Sequence, residues 1–386
     1  MSKNGKLILG VAIIIAAILL IVSNRKGGDN GGAMNNARDI NVGVILPLTG
    51  DAAAYGEPAL KIFNIAVQEI NDAGGVNGRK LKLVVQDGMC GAAGAVNAAN
   101  KLIDVEKVKV IIGGFCSSES LAVVPLAEKA KVAMYNPGSS SPALTGKSKF
   151  FMRNYPSDAA QGQGLWNYAA RAGKKNVGVL VEQTDYALGV SRVFEAAAQA
   201  GGATVTHEEF AKDGTDFRSQ LTKLRAANVD ALLISVQTPA SGERVVKQLK
   251  DLGWKPSLLL SDAFVSDTAI LENNKDILEG AVFMTFGGDV TNAKAASMIS
   301  KYKVTNNGAE PAFVDSYALT EYDIVYMLAD ALKAVGEDGE KVASYAQSFK
   351  DWDGASGKVT IGADGDRQNA SFVTKMIMGG KASVMQ

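Results

Sequence analysis

Two short stretches decide how this chain is read: G-G-F-C-S-S-E-S, from Gly113 to Ser120, and M-Y-N-P-G-S-S-S-P-A-L-T, from Met134 to Thr145. Each carries a serine-rich turn, Cys116-Ser117-Ser118 and Pro137-Gly138-Ser139-Ser140-Ser141, directly after an apolar run that predicts a strand. The first turn opens into a predicted helix. In open α/β sheets, ligands lie at the carboxyl ends of the strands. Hydroxyls and free backbone N–H groups there suit a small anion such as a carboxylate. Neither turn offers an evident acid, base or activated nucleophile. The pattern points to holding a small molecule rather than reacting with it.

Outward from these turns the chain alternates strand and helix. Strands are predicted at 40–46, 81–86, 108–113 and 132–136, then at 176–181, 203–208, 229–236, 257–260 and 280–286. Helices are predicted between them: one marked by Leu60, Phe63, Val67 and Ile70 and beginning near Pro58, then 92–105, 118–130, 189–200, 217–227 and 242–252. Thr215 or Asp216 is placed to cap the helix at 217. Such alternation argues for parallel sheets with helices on both faces. There are too many units for one open sheet, so two doubly wound domains are expected. The C-terminal part reads differently: helices at 315–335 and 339–350, then a hairpin of 358–361 with 371–378 around Gly362-Ala363-Asp364-Gly365.

Composition narrows the function. Lys plus Arg and Asp plus Glu both number 40, which gives no drive toward nucleic acid. His207 is the single histidine, so a histidine-based triad or a His-rich metal site is excluded, and His207 itself reads as a strand or surface residue. No G-x-G-x-x-G follows the first strand, and no G-x-x-x-x-G-K-[ST] or H-E-x-x-H occurs, which argues against a nucleotide-dependent or metal enzyme. Lys3 and Lys6 precede a 16-residue apolar run, Leu7 to Val22, intermediate between a signal-peptide core and a full span. It is read as a signal or, in preference, an uncleaved membrane anchor (residues 1–26). A glycine-rich flexible tether follows at 27–38. Either way the bulk of the chain is expected outside the cytoplasm. Two cysteines, Cys90 and Cys116, in an exported chain favour a disulfide over two separate thiols.

Four segments together resemble a known family: Val42 to Gly56, V-G-V-I-L-P-L-T-G-D-A-A-A-Y-G; Ile70 to Leu81, I-N-D-A-G-G-V-N-G-R-K-L; Gly114 to Ser120; and Asn136 to Thr145. In that order and spacing they resemble the type I periplasmic binding proteins of ABC importers, in the branched-chain amino acid branch. The resemblance covers about residues 39–386. It implies two α/β lobes joined by a three-crossover hinge, with ligand in the cleft between them. The lobes would be 39–157 plus 286–365 and 158–285 plus 366–386. It also implies no enzymatic activity, no cofactor, a monomer, a membrane permease as partner, and a disulfide between Cys90 and Cys116.

Carried over residue by residue, the resemblance places Ser117 at the ligand's α-carboxylate and Ser139 and Ser140 at its head group. Tyr55 falls at the mouth of the first lobe's pocket, Tyr186 at the closing tyrosine of the second lobe, and Asp262 at the α-ammonium. Two positions depart from the family pattern. Gln237 stands where a second tyrosine is usual, and Asp262 is one methylene shorter than the glutamate common in leucine binders. Both bear on side-chain specificity. A leucine-, isoleucine- or valine-like amino acid is expected, with a related amide, urea or carboxylic acid, or a ligand-sensing ectodomain, as alternatives. Plainer readings exist for each residue: Ser117 as a helix N-cap, Ser139 and Ser140 as turn residues, Tyr55 and Tyr186 as packing aromatics, and Asp262 as a solvated loop acid. Phe115 and Phe286 are candidates for the pocket wall or for core.

Overall fold

A computed structural model describes residues 38–385. The apolar run Leu7 to Val22 and nearly all of the tether lie outside them. No helix among the described residues is long and apolar enough to cross a membrane. Residues from Asp39 onward form one compact unit.

The first half of the alternation builds a five-stranded sheet in the order β2-β1-β3-β4-β5, all parallel. Its strands are β1 (Ile40–Leu46), β2 (Leu81–Asp87), β3 (Val110–Gly113), β4 (Ala133–Asn136) and β5 (Phe151–Arg153). The period of two in the pleat divides the apolar residues of β1 between two cores. Val42, Val44 and Leu46 pack with α1 (Ala53–Asp72) and with α11 (Tyr317–Val335) from much later in the chain. Ile45 faces the other way, into a core with α2 (Ala92–Asn100) and α3 (Ser117–Ala130).

The second sheet has seven strands in the order β14-β13-β10-β9-β8-β6-β7. Its parallel part is β6 (Asn176–Glu182), β7 (Thr204–Phe210), β8 (Ala231–Ser235), β9 (Leu258–Leu260) and β10 (Val282–Phe286). Two antiparallel strands, β13 (Phe372–Met378) and β14 (Lys381–Val384), extend it at β10. Leu180 and its alternates Val177, Val179 and Val181 again serve two separate cores. The fold is therefore two α/β lobes, as the alternation implies. The chain passes between the two sheets three times: after β5, after β10 and before β13.

Four expectations need correction. The first helix begins at Ala53, five residues before Pro58, which sits inside it. Helix α6 (Arg218–Ala226) has Phe217 at its N-cap with no side-chain cap; Asp216 accepts from the Arg218 N–H instead. The helix expected at 339–350, α12 (Gly339–Tyr345), stops at Tyr345 and is followed by one 3₁₀ turn at Ala346–Ser348. The C-terminal hairpin is not formed as read. The segment at 357–359, β12 (Gly357–Val359), pairs with β11 (Trp352–Gly354), while β13 pairs with β10. The turn itself does close: Gly362 N–H donates to Asp366, and Ile361 bridges Arg367.

Two arginines fasten the crossings. Arg153, fully buried, makes a bidentate pair with Asp366 at 2.7 and 2.9 Å. The backbone N–H of Arg153 donates to Gly365, whose φ is +82°. A Cβ on Gly365 would lie 2.4 Å from the Phe151 carbonyl oxygen, so glycine is required there. Arg367 donates to the Asn154 carbonyl at 3.2 Å, stacks over the Phe286 ring at 4.8 Å, and donates to the Ser356 carbonyl. It thereby touches all three crossings.

Candidate functional site

The carboxyl ends of β3 and β4 hold the two serine turns, as their sequence implies. At the first, the N-cap of α3 is Cys116, and Ser117 is the first helical residue rather than the cap. The buried Glu119 carboxylate accepts from the Cys116 N–H at 2.9 Å and the Cys90 N–H at 3.0 Å. It braces both halves of the disulfide, which joins Cys90 to Cys116. Burial pushes Glu119 up to about 7, against the lowering effect of those two N–H groups. At the second turn, Asn136 Oδ1 accepts from the N–H groups of Gly138 and Ser139, at 2.9 and 2.7 Å. The Ser117 hydroxyl accepts from the Ser141 N–H at 3.1 Å, tying the two turns together.

Between the lobes lies a cavity lined by Tyr55, Phe115, Ser117, Ser140, Tyr186, Gln237, Ala263 and Tyr317, with Cys116 and Gly138 completing the wall. It encloses about 10 Å³, the least that admits one water. Two wider depressions, of about 370 and 400 Å³, lie elsewhere on the surface, and neither is lined by a buried polar atom that lacks a partner. The lobes meet over the cavity. The Tyr55 hydroxyl reaches the carbonyls of Gln237 and Ala263 at 3.3 and 3.1 Å, and the Ser266 hydroxyl at 3.4 Å. Lys212 donates to the Cys90 carbonyl at 2.8 Å, Asp185 N–H to the Ser118 hydroxyl at 3.4 Å, and Arg244 pairs with Asp51 at 3.3 Å.

Behind this lining sits a pair of buried acids. Asp262, at the end of β9, accepts from Tyr186, from Tyr155 at 3.0 Å and from Thr285 at 3.4 Å. Asp158, just before α4 (Ala159–Arg171), is fully buried, and neither carboxylate oxygen meets a donor in hydrogen-bonding geometry. The Ser140 hydroxyl approaches it only loosely. The amide of Gln161 is also buried without a partner and approaches Asp262 on the same terms. Burial holds both carboxyls above the usual range, Asp158 strongly so, and the neighbouring Asp262 raises Asp158 further. Two buried carboxylates, one of them (Asp158) without a donor on either oxygen, form a place for a cationic group. Hydroxyls and a helix N-terminus in the cavity wall form a place for an anionic one.

Of the residues singled out in the sequence, Ser117, Ser140, Tyr55, Tyr186, Gln237 and Phe115 line the cavity. Asp262 lies directly behind Tyr186. Ser139 does not face the cavity: its hydroxyl turns into the first lobe and donates to the Gly114 carbonyl at 2.7 Å. Phe286 packs against Tyr155 and under Arg367. Reading the sequence missed Asp158, Gln161, Tyr155 and Tyr317. The first three lie in Y-P-S-D-A-A-Q-G (155–162), the loop and helix start after β5. An acid following a strand end was the available signal, but β5 is too short to register as a strand.

The fold and this cleft are those of a solute binder. Residues 39–381 match the model of the periplasmic binding protein family, and the chain belongs to that family, whose members bind solutes and are not enzymes. It is 30% identical over 332 residues to an amino acid binding protein of Pseudomonas aeruginosa, covering 82% of this chain and 86% of that one. Among solved structures it resembles a leucine binding protein from Thermotoga maritima, with TM-score 0.81 and 30% identity over 90% of this chain and 98% of that one. It also resembles a branched-chain amino acid transporter substrate binding protein from Streptococcus pneumoniae in complex with isoleucine. There the TM-score is 0.78 and the identity 25%, over 90% and 99% of the two chains.

Proposed function

We propose that this chain is the extracytoplasmic substrate-binding component of an ABC importer. It takes an α-amino acid into the cleft between its lobes, closes over it, and delivers it to a membrane permease. The observation that carries the reading is the pairing of opposite demands at one small cavity and just behind its wall. Asp158 and Asp262 call for a cation, while Ser117, Ser140 and the start of α3 call for an anion. A zwitterionic α-amino acid supplies both from adjacent atoms. Closure would expel water and strengthen every charge-assisted bond inside. Names of relatives and structural neighbours favour the branched-chain class. Monomeric action and attachment through residues 7–22 belong to the same proposal.

The test is thermal unfolding of residues 38–386 against α-amino acids, their amides, and the matching α-hydroxy acids. A ligand at a hundredfold over its Kd adds about 2.7 kcal/mol of stability. Shifts confined to compounds carrying both a free α-amino group and a free carboxylate support the reading. Equal shifts with α-hydroxy acids would refute the ammonium site.

A further inference from the structure

Once the head-group residues are accounted for, the rest of the lining is Tyr55, Phe115, Gly138, Gln237, Ala263 and Tyr317. This is the end that receives the ligand's side chain. The aromatics are already engaged with one another: Tyr55 lies 5.7 Å from Phe115, and Phe115 lies 5.3 Å from Tyr317. Gln237 is different. Only 7% of the residue is exposed, it lines the cavity, and its Oε1 is buried with no hydrogen-bond partner. Its backbone is fixed, since the Gln237 N–H donates to Glu182 at 2.6 Å and its carbonyl accepts from Tyr55. The backbone of Gln237 is thus anchored at the wall, and its side-chain oxygen is left unsatisfied.

A buried amide without a partner is costly, and an aliphatic ligand would leave it so. A hydroxyl would satisfy it whichever way the amide is turned, because a hydroxyl both donates and accepts.

We infer that the site is specific for a short, hydroxyl-bearing α-amino acid, threonine or serine, with Gln237 as the residue that reads the hydroxyl. This rests on the α-amino acid reading above. A hydrophobic slot cannot strongly reject an isostere that adds a hydroxyl, whereas a site built around a hydrogen bond rejects the analogue that lacks one. The direction of discrimination between isosteres is therefore diagnostic.

The experiment is calorimetric titration of residues 38–386 with threonine, valine, serine, alanine and leucine, repeated with Gln237→Leu. The wild type is expected to bind threonine at least tenfold more tightly than valine, and serine more tightly than alanine. In Gln237→Leu the threonine-to-valine ratio is expected to collapse toward one, while Asp262→Asn weakens both ligands alike. Valine or leucine binding as tightly as threonine overturns the inference and leaves the α-amino acid reading standing. A Gln237→Leu variant that keeps the wild-type ratio also overturns it, by assigning the preference elsewhere. Failure of every α-amino acid to bind overturns both readings together.

Discussion

Removing one oxygen atom, by Tyr55→Phe, tests whether the lobe contacts described here control binding. The hydroxyl sits between lobes, near the carbonyls of Gln237 and Ala263 and the Ser266 hydroxyl. The ring is packed on the first lobe's side, stacked 4.9 Å from Phe313. Burial pushes the phenol far above its usual range, so it remains a neutral donor at any working pH. Phenylalanine keeps the packing and loses the donor. An intramolecular hydrogen bond contributes about 0.5–1.5 kcal/mol net, and a buried acceptor left unpaired costs about 1–3 kcal/mol. The carbonyls of Gln237 and Ala263 would be unpaired only when the lobes meet, because separation exposes them to water. The loss therefore falls on the closed arrangement, and a ligand that binds it should weaken by about 5- to 150-fold. Calorimetry gives the change in Kd, and small-angle scattering with saturating ligand gives the extent of closure. An unchanged Kd would refute the argument. So would an equal drop in the denaturant midpoint and in affinity, which would make the hydroxyl part of the fold rather than of closure.

Asp158→Asn should move stability and affinity in opposite directions. It relieves like-charge crowding with Asp262, so ligand-free stability at pH 8 should rise in a denaturant titration, while affinity for the α-amino acid falls about tenfold or more. Reducing the Cys90–Cys116 bond, whose sequence separation is 26 residues, should cost about 3.5 kcal/mol by the loop-entropy relation. For a domain of this size that is a fall in Tm of roughly 5 °C, read by calorimetry with and without reductant. Glu119 should impose a pH dependence. Its folded value of about 7 lies above the ordinary 4.5, so the folded state holds the proton more tightly, and stability falls as pH rises from 4.5 through 7. The span is on the order of 3 kcal/mol, and Glu119→Gln should flatten the denaturation midpoint across that range.

Much of the architecture was legible because the signals are local. Ile40 to Leu46 is an apolar run closed by a turn, and it is a strand with those bounds. The start of the first helix was not legible, because Pro58 suits a first turn and gave no hint that the helix already runs from Ala53. The C-terminal pairing was hidden for a different reason. The turn at 362–365 is real, but the partner of β13 is β10, roughly ninety residues earlier, and no local pattern encodes that choice. Ser117 and Ser140, singled out through their turns, both line the cavity. The Ser139 hydroxyl turns inward to the Gly114 carbonyl, an orientation no local pattern encodes. Asp158 escaped because it follows a three-residue strand in a segment with no periodic signal.

The arginine fastening of the three crossings has a practical consequence. The Arg367 guanidinium holds Asn154 and Phe286, and Arg153 is locked to Asp366, so the three crossings are fastened to one another. Under the proposed closure, this fastening predicts that the lobes move as one rotation. A donor and acceptor dye placed on opposite lobes would switch between two transfer efficiencies, and the fraction switched would follow a simple hyperbola in ligand concentration. On the proposed function the scaffold would report concentration by distance, and substitutions at Gln237 would retune its range without touching the joint.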